Sequence, residues 1–330
     1  MDLSTNYMGL TLANPVVPSA SPLSRTLEGV QRMAEAGAGA IVLHSLFEEQ
    51  LNRDADELNH YLERGTESFA EALSYFPAMD NFNVGPDDYL ERIRKAKQST
   101  SIPIIGSLNG VSAGGWTSYA AKMEQAGADA IELNVYWIPT DPKLSATSVE
   151  KVYLDILKAV RGTVKIPVAM KLSPFFSAPV HMARQLEEAG ASGLVLFNRF
   201  YQPDVDLGSM GVVTDMTLSS SSASRLPLRW IAILREHIKG SLAATSGVHT
   251  AEDALKLVMV GADVTMVCAV LLQKGIGAIT TIRDGMARWL EQHEYTSLAQ
   301  AKGSMSQKNC AEPAAYERAH YVKALEAFKL

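Results

Sequence analysis

Four stretches of the chain share one pattern: EAGAGAIVL (Glu35–Leu43), QAGADAIEL (Gln125–Leu133), EAGASGLVL (Glu188–Leu196) and MVGADVTMV (Met259–Val267). Each begins as the end of a helical stretch. A glycine follows (Gly37, Gly127, Gly190, Gly261), the residue suited to the left-handed conformation just past a helix. A short apolar run then has the composition of a strand buried on both faces. Helix, glycine and buried strand recurring along one chain are the sequence sign of βαβ units.

The intervals fill in the same way. The pattern predicts strands at Val16–Ala20, Ala40–Leu43, Ile104–Ser107, Ala130–Asn134, Val168–Leu172, Gly193–Phe197, Leu242–Thr245 and Val264–Val267. It predicts helices at Thr26–Ala36, Asp87–Lys97, Gly115–Ala126, Val149–Arg161, Pro179–Glu188, Leu226–His237, Ala251–Val260 and Ile276–Glu291. Eight strand–helix pairs favour an α/β (β/α)8 TIM barrel over an open doubly wound sheet, although periodicity alone does not show closure. No GxGxxG follows the first strand, which weakens the dinucleotide-fold alternative. The barrel is expected over residues 1–303, with a helical extension over 304–330. In that extension Tyr316, Tyr321, Ala324 and Leu325 fit one helical face, docking on the barrel or on a second subunit.

Composition narrows the function classes. The 330 residues are 47% hydrophobic and 20% charged, with a net charge of −6. That balance argues against a general nucleic-acid binder, which needs a basic face. No apolar run is long enough to cross a membrane. The amino terminus, MDLSTNYMGL, lacks a basic segment leading into an apolar core, so a cytoplasmic protein is expected. Two cysteines, Cys268 and Cys310, stand outside any CxxC pair or spaced histidine set, and no metal site is expected.

Two connections are long for a βα loop: about Phe47–Pro86 after the second strand, and about Arg199–Arg225 after the sixth. Long loops in compact domains tend to be functional, and both lie on the side where barrels build their sites. The first contains an amphipathic piece, Asp54–Ala72. The second carries SSSSAS (Ser219–Ser224), read as a flexible polar run.

The strand ends carry the chemistry. Lys171 closes an apolar strand and should point into the barrel mouth, where an ammonium can bind an anion, form a Schiff base or stabilise an electron-rich ring; a lysine snorkelling to the rim is the bland alternative. Ser246-Gly247 after the seventh strand and Cys268-Ala269 after the eighth stand where barrels often hold phosphate on backbone N–H groups. Cys268 is expected to pack rather than act as a nucleophile. Asn109, Asn134 and Asn198 end the third, fourth and sixth strands and offer amide donors and acceptors to a flat heterocycle.

On these residues the sequence resembles the dihydroorotate dehydrogenase family, flavin-dependent (β/α)8 barrels, most nearly its class 1 members. The resemblance runs from about Leu3 to Gly303 and rests on MGLTLANPVVPSAS from Met8, IELN from Ile131, IPVAMKLSP from Ile166, the FN ending at Asn198 and SGVHTAEDALKLVMVGAD from Ser246. It implies FMN as cofactor. Ser19, Ala20 and Ser21 would meet the flavin after the first strand, with Ser45, Asn109 and Asn134 beside it. Lys171 would stabilise the reduced, anionic ring. Ser246, Gly247, Cys268 and Ala269 would cradle the phosphate. Asn83, Asn134 and Asn198 would hold a small-molecule substrate. A homodimer or an electron-transfer partner is also implied.

The departures fall on the substrate side. The family motif resembling N-x-S-C-P-N, which supplies a cysteine or serine base, reads Asn134-Val135-Tyr136-Trp137-Ile138-Pro139 here. Trp137 stands about where the base should be and cannot accept a proton. His44 replaces a lysine, and Ser219–Ser224 replaces a glycine-rich stretch. The resemblance therefore implies hydride transfer at a carbon–carbon bond of a substrate other than dihydroorotate, because that reaction needs a positioned base. Tyr136 is the first candidate acid–base group. His44 is the second, since an unperturbed imidazole suits neutral pH. A non-catalytic or partner-dependent barrel holding flavin, or another phosphorylated ligand, is the alternative.

Overall fold

All four repeated glycines sit at positive φ: Gly37 at 88°, Gly127 at 97°, Gly190 at 102° and Gly261 at 122°. Each ends a helix and turns the chain into a buried strand. The computed structural model describes residues 1–48, 86–110, 114–200, 202–213, 217–317 and 321–327. The expected amphipathic piece Asp54–Ala72 and the candidate Asn83 lie outside the described residues.

A hairpin of β1 (Thr5–Tyr7) and β2 (Leu10–Leu12) comes first, then the barrel strands: β3 (Val16–Pro18), β4 (Ile41–Val42) continued by β5 (Leu46–Phe47), β6 (Ile104–Gly110), β7 (Ala130–Val135), β8 (Val168–Leu172) and β9 (Gly193–Leu196). A second hairpin, β10 (Asp204–Asp206) and β11 (Gly211–Val213), precedes β12 (Ser241–Thr245) and β13 (Val264–Val267). The described helices are α1 (Leu27–Glu35), α2 (Pro86–Ser99), α3 (Gly114–Gln125), α4 (Ala146–Arg161), α5 (Pro179–Glu188), α6 (Arg225–Leu234), α7 (Ala251–Met259), α8 (Ala269–Lys274), α9 (Ala278–Gln292), α10 (Leu298–Ala301) and α11 (Tyr321–Glu326).

The strands pair in parallel in the order β3-β13-β12-β9-β8-β7-β6-β4, with β5 also on β6. The two ends of this sheet meet where Gly39 N–H donates to the carbonyl of Val16 at 2.9 Å, so the barrel is nearly closed. The architecture is a (β/α)8 barrel. No described helix is long and apolar enough to cross a membrane.

Alternation along the strands sorts the core into two layers. Residues such as Val17, Val42, Ile105, Ala130, Ala169 and Val264 point inward and form the barrel interior. Residues such as Val16, Ile41, Ile131 and Val168 point outward and pack under the helices. The first hairpin closes the amino end of the barrel. Met8 and Gly9 turn it at φ 55° and 84°, the two successive positive values of a tight hairpin. That turn drives Tyr7 and Leu12 into the interior cluster. Met8 N–H is tied to Ser241 Oγ at 2.8 Å.

Three expectations are corrected. Ser219–Ser224 is not a free polar run: Ser221–Ser224 forms a 3-10 turn leading into α6, and Ser219 and Ser224 are buried. Tyr316 does not share a helix with Tyr321 and Leu325. It ends a separate 3-10 turn opened by Pro313, donates to Met305 O and packs on the outer core, while Tyr321 and Leu325 are exposed. A short extra helix, α8, intervenes between the last barrel strand and α9, where one helix over Ile276–Glu291 was expected.

Candidate active site at the carboxyl end of the barrel

Inward alternation carries polar side chains toward the mouth on three adjacent strands: Ser107 and Asn109 on β6, Glu132 and Asn134 on β7, Lys171 on β8. Register aligns them. Asn109 pairs with Asn134, and Asn134 with Lys171, so three side chains form one row, with Glu132 one step deeper. Lys171 and Glu132 are both buried, at 8% and 1% side-chain exposure, and the Lys171 Nζ lies 3.3 Å from Glu132 Oε1. Lys171 also donates to Ser19 Oγ at 3.4 Å, which brings the turn after β3 to the same point. Asn198, just past β9, donates to Asn134 Oδ1 at 2.6 Å. Lys171, Ser19, Asn109, Asn134 and Asn198 are thus brought together.

The second barrel strand is irregular. Ile41 and Val42 pair with Ile104 and Ile105, but Leu46 pairs with Leu108. Leu43, His44 and Ser45 therefore stand opposite Gly106 and Ser107 alone, a bulge of the kind that re-aims side chains beside functional sites. Ser45 Oγ shares a hydrogen bond with Ser107 Oγ at 2.9 Å. His44 lies against Tyr89, ring centroids 5.0 Å apart, and Arg92 donates to its Nε2 at 3.4 Å. Burial first, then the charges of Arg92 and Arg25, hold the imidazole down at about 4. This corrects the expectation that His44 titrates near neutrality: its ring is neutral there and has no proton to give as an imidazolium.

On the opposite rim the loop after β12 holds two successive left-handed residues, Ser246 at φ 80° and Gly247 at φ 76°. For a serine this conformation is strained, and it persists only where the surroundings impose it. A side chain at Gly247 would lie 2.2 Å from the Ser224 nitrogen, so the serine turn and this loop form one wall. Asp253 binds the wall together. Its Oδ2 accepts from Ser221 Oγ at 2.7 Å, His249 N at 3.1 Å and Thr250 N at 3.0 Å, while Thr250 caps α7 in return. Cys268 follows β13 at the N-cap of α8, and burial raises its thiol pKa against the opposing charge of Lys171. It is therefore not an activated thiolate. Ser21 Oγ is buried with no hydrogen-bond partner among the described residues, and Ala20 beside it is half-buried.

The loop after β7 separates two neighbours. Trp137 packs on the outer core with Val135. Tyr136 instead continues the inward parity of Glu132 and Asn134, and its ring meets Phe200 at 4.4 Å. Phe175, from the loop after β8, lies 6.1 Å from Phe200 and is 75% exposed. Three successive βα loops thus build an aromatic wall at one side of the mouth.

Glu132, Arg92, Phe175 and Phe200 were not singled out in the sequence as site features. A glutamate inside the apolar strand AIEL was the available signal for Glu132. Arg92 and Phe200 lie on a helix and a loop, and only the fold brings them to the mouth.

The arrangement offers what FMN would need: a buried ammonium, a row of amides for a heterocycle, a serine hydroxyl without a partner among the described residues, and, after the paired strands β12 and β13, a strained Ser246-Gly247 backbone beside Cys268-Ala269 for a phosphate. A family model described as Dihydroorotate dehydrogenase matches residues 2–290. The chain is similar to the dihydroorotate dehydrogenase B (NAD(+)) catalytic subunit of Methanocaldococcus jannaschii, 27% identical over 302 residues, covering 89% of this chain and 95% of the relative. It is similar to dihydroorotate dehydrogenase A (fumarate) of Lactiplantibacillus plantarum, 27% identical over 302 residues, with 90% and 96% covered. It is also similar to the NAD-dependent dihydropyrimidine dehydrogenase subunit PreA of Escherichia coli, 23% identical over 322 residues, with 92% and 76% covered.

Proposed function

Since this chain belongs to the dihydroorotate dehydrogenase family, we propose that it is an FMN-dependent oxidoreductase acting on a CH–CH bond of a small substrate other than dihydroorotate. The observation that carries the reading is Lys171, a buried ammonium in register with Asn134 and Asn109 at the carboxyl end of the barrel. FMN, when bound, supplies the hydride-exchanging ring of this chemistry. Lys171 holds positive charge at the mouth, where it stabilises negative charge on a bound heterocycle. Ser19, Ala20, Ser21, Ser45, Asn109 and Asn134 orient that heterocycle. Ser246-Gly247 and Cys268-Ala269 take the phosphate on backbone N–H groups.

The substrate side supports a changed specificity. Trp137 occupies the expected place of the base and turns to the outer core. Tyr136 is the acid–base candidate at the mouth, holding or taking a proton at its hydroxyl. Asn198 and Asn134, joined to each other, still leave an amide group and a carbonyl oxygen for the substrate. The Tyr136–Phe200–Phe175 wall favours a planar or apolar substrate surface. Names of relatives such as catalytic subunit and subunit PreA support an electron-transfer partner for this chain, and a homodimer is its alternative. A cytoplasmic setting is the reading consistent with both.

The test is optical. The purified protein should show a flavin spectrum, bleach with dithionite, and fail to bleach when dihydroorotate is added without oxygen. A protein that stays colourless after incubation with FMN overturns the cofactor. Bleaching by dihydroorotate overturns the changed substrate.

A further inference from the structure

The deepest charge in the barrel is not the lysine but the carboxylate beneath it. We infer that Glu132 is a positioning residue that keeps the Lys171 ammonium protonated and fixed at the mouth. The importance of that lysine rests on the FMN reading above; the geometry does not.

Glu132 lies on β7 one pair deeper than the Asn134–Lys171 row, opposite Ala169. Its side chain is 1% exposed and its Oε1 is 3.3 Å from Lys171 Nζ. Its other oxygen, Oε2, is buried without a hydrogen-bond partner among the described residues. A carboxylate enclosed in this way has the ammonium as its countercharge, and the ammonium has the carboxylate. Neither would stay ionised alone at such burial, since desolvation disfavours each charged form.

The other groups around the pair do not replace it. Ser19 offers Lys171 a neutral hydroxyl at 3.4 Å. Cys268 feels the lysine's charge, but its thiol is held up by burial. Beneath Glu132, the Tyr7 phenol is pushed well above its ordinary range by burial and by the charges of Glu132 and Asp263, so it stays neutral. Glu132 is the anionic group on Lys171 among the described residues, and the charge of Lys171 should depend on it.

The experiment labels the lysines with ¹³C at Cε and follows Lys171 by NMR against pH, in protein with and without FMN, using Lys171→Arg to identify the signal. The wild type sets the reference midpoint for Lys171. Glu132→Gln, which preserves shape and removes charge, should lower its titration midpoint by about one pH unit or more, a tenfold or greater loss in proton affinity. Glu132→Asp should largely restore the wild-type midpoint, which a merely structural role would not require. Equal midpoints in wild type and Glu132→Gln overturn the inference. Should Glu132→Gln fail to fold, the double variant Glu132→Gln/Lys171→Met should recover folding by removing both charges; failure to recover also overturns it. A colourless protein would count against FMN alone, because the lysine titration remains readable without it.

Discussion

Asn198 Nδ2 and Asn134 Oδ1 lie 2.6 Å apart, joining β9 to β7 across the strand that carries Lys171. Both asparagines are buried. Asn198→Ala would leave an amide oxygen of Asn134 without its donor, at a cost of about 1–3 kcal/mol. Urea unfolding of the single variants and of Asn134→Ala/Asn198→Ala should give a coupling energy of about 1 kcal/mol between the two. Additive losses would mean that the bond contributes nothing to the fold.

His44 makes stability depend on pH. Its folded value is about 4, below the ordinary 6.5. Between those values the unfolded chain binds the proton and the folded chain does not, so stability rises with pH through that window and is lost as pH falls from 6.5 toward 4. The full shift corresponds to roughly 3 kcal/mol. Urea titrations at a series of pH values should therefore show a steeper loss below pH 6.5 in the wild type than in His44→Gln. Parallel profiles would remove His44 as the source.

Much of this barrel is legible in the sequence because its physics is local. A glycine after a helix and an apolar run after that glycine locate Ile131 or Leu194 without any knowledge of distant residues. Val168–Leu172 and Val264–Val267 match their predicted strands end to end. The mouth residues Lys171 and Asn134 are likewise legible, because alternation fixes which side chains face inward. What escapes is set by meetings between distant segments. The bulge at His44 appears only against β6, and the pKa of His44 depends on Arg92 and Arg25. The serine run reads as solvated until Gly247 and Asp253 are placed against it. The plug formed by Tyr7 has the short alternating look of any edge hairpin, and nothing local says that it closes a barrel.

Asp253 links the serine turn to the loop after β12, and its loss should affect both stability and ligand hold. Asp253→Ala removes the capping box of α7 together with the acceptor for Ser221 Oγ. Cap losses of this kind cost about 0.5–2 kcal/mol. If the wall holds the FMN phosphate, the dissociation constant for FMN should rise about tenfold or more, read by fluorescence as FMN is released. Thr250→Ala, which loses the cap but leaves Ser221 on Asp253, should lower stability with a much smaller effect on FMN. Equal effects of the two variants on FMN would disconnect the wall from the phosphate.

Tyr136 is the proposed acid–base group, and its variants test that role. Trp137 lies against the outer core, whereas Tyr136 follows the inward parity of Asn134 and rests on Phe200 at 4.4 Å. With His44 neutral and its folded value near 4, and with the Cys268 thiol raised by burial, neither is suited to giving a proton as a cation or taking one as a thiolate at neutral pH. Tyr136→Phe keeps the ring contact with Phe200 and removes only the hydroxyl. Loss of a positioned acid–base group lowers turnover by about 10²-fold or more, so kcat on a substrate that bleaches the flavin should fall by that factor with KM little changed. Phe200→Ala should act differently, loosening the Tyr136 ring and raising KM along with a smaller fall in kcat. A Tyr136→Phe enzyme with unchanged kcat and an unchanged pH profile would take the acid–base role away from Tyr136.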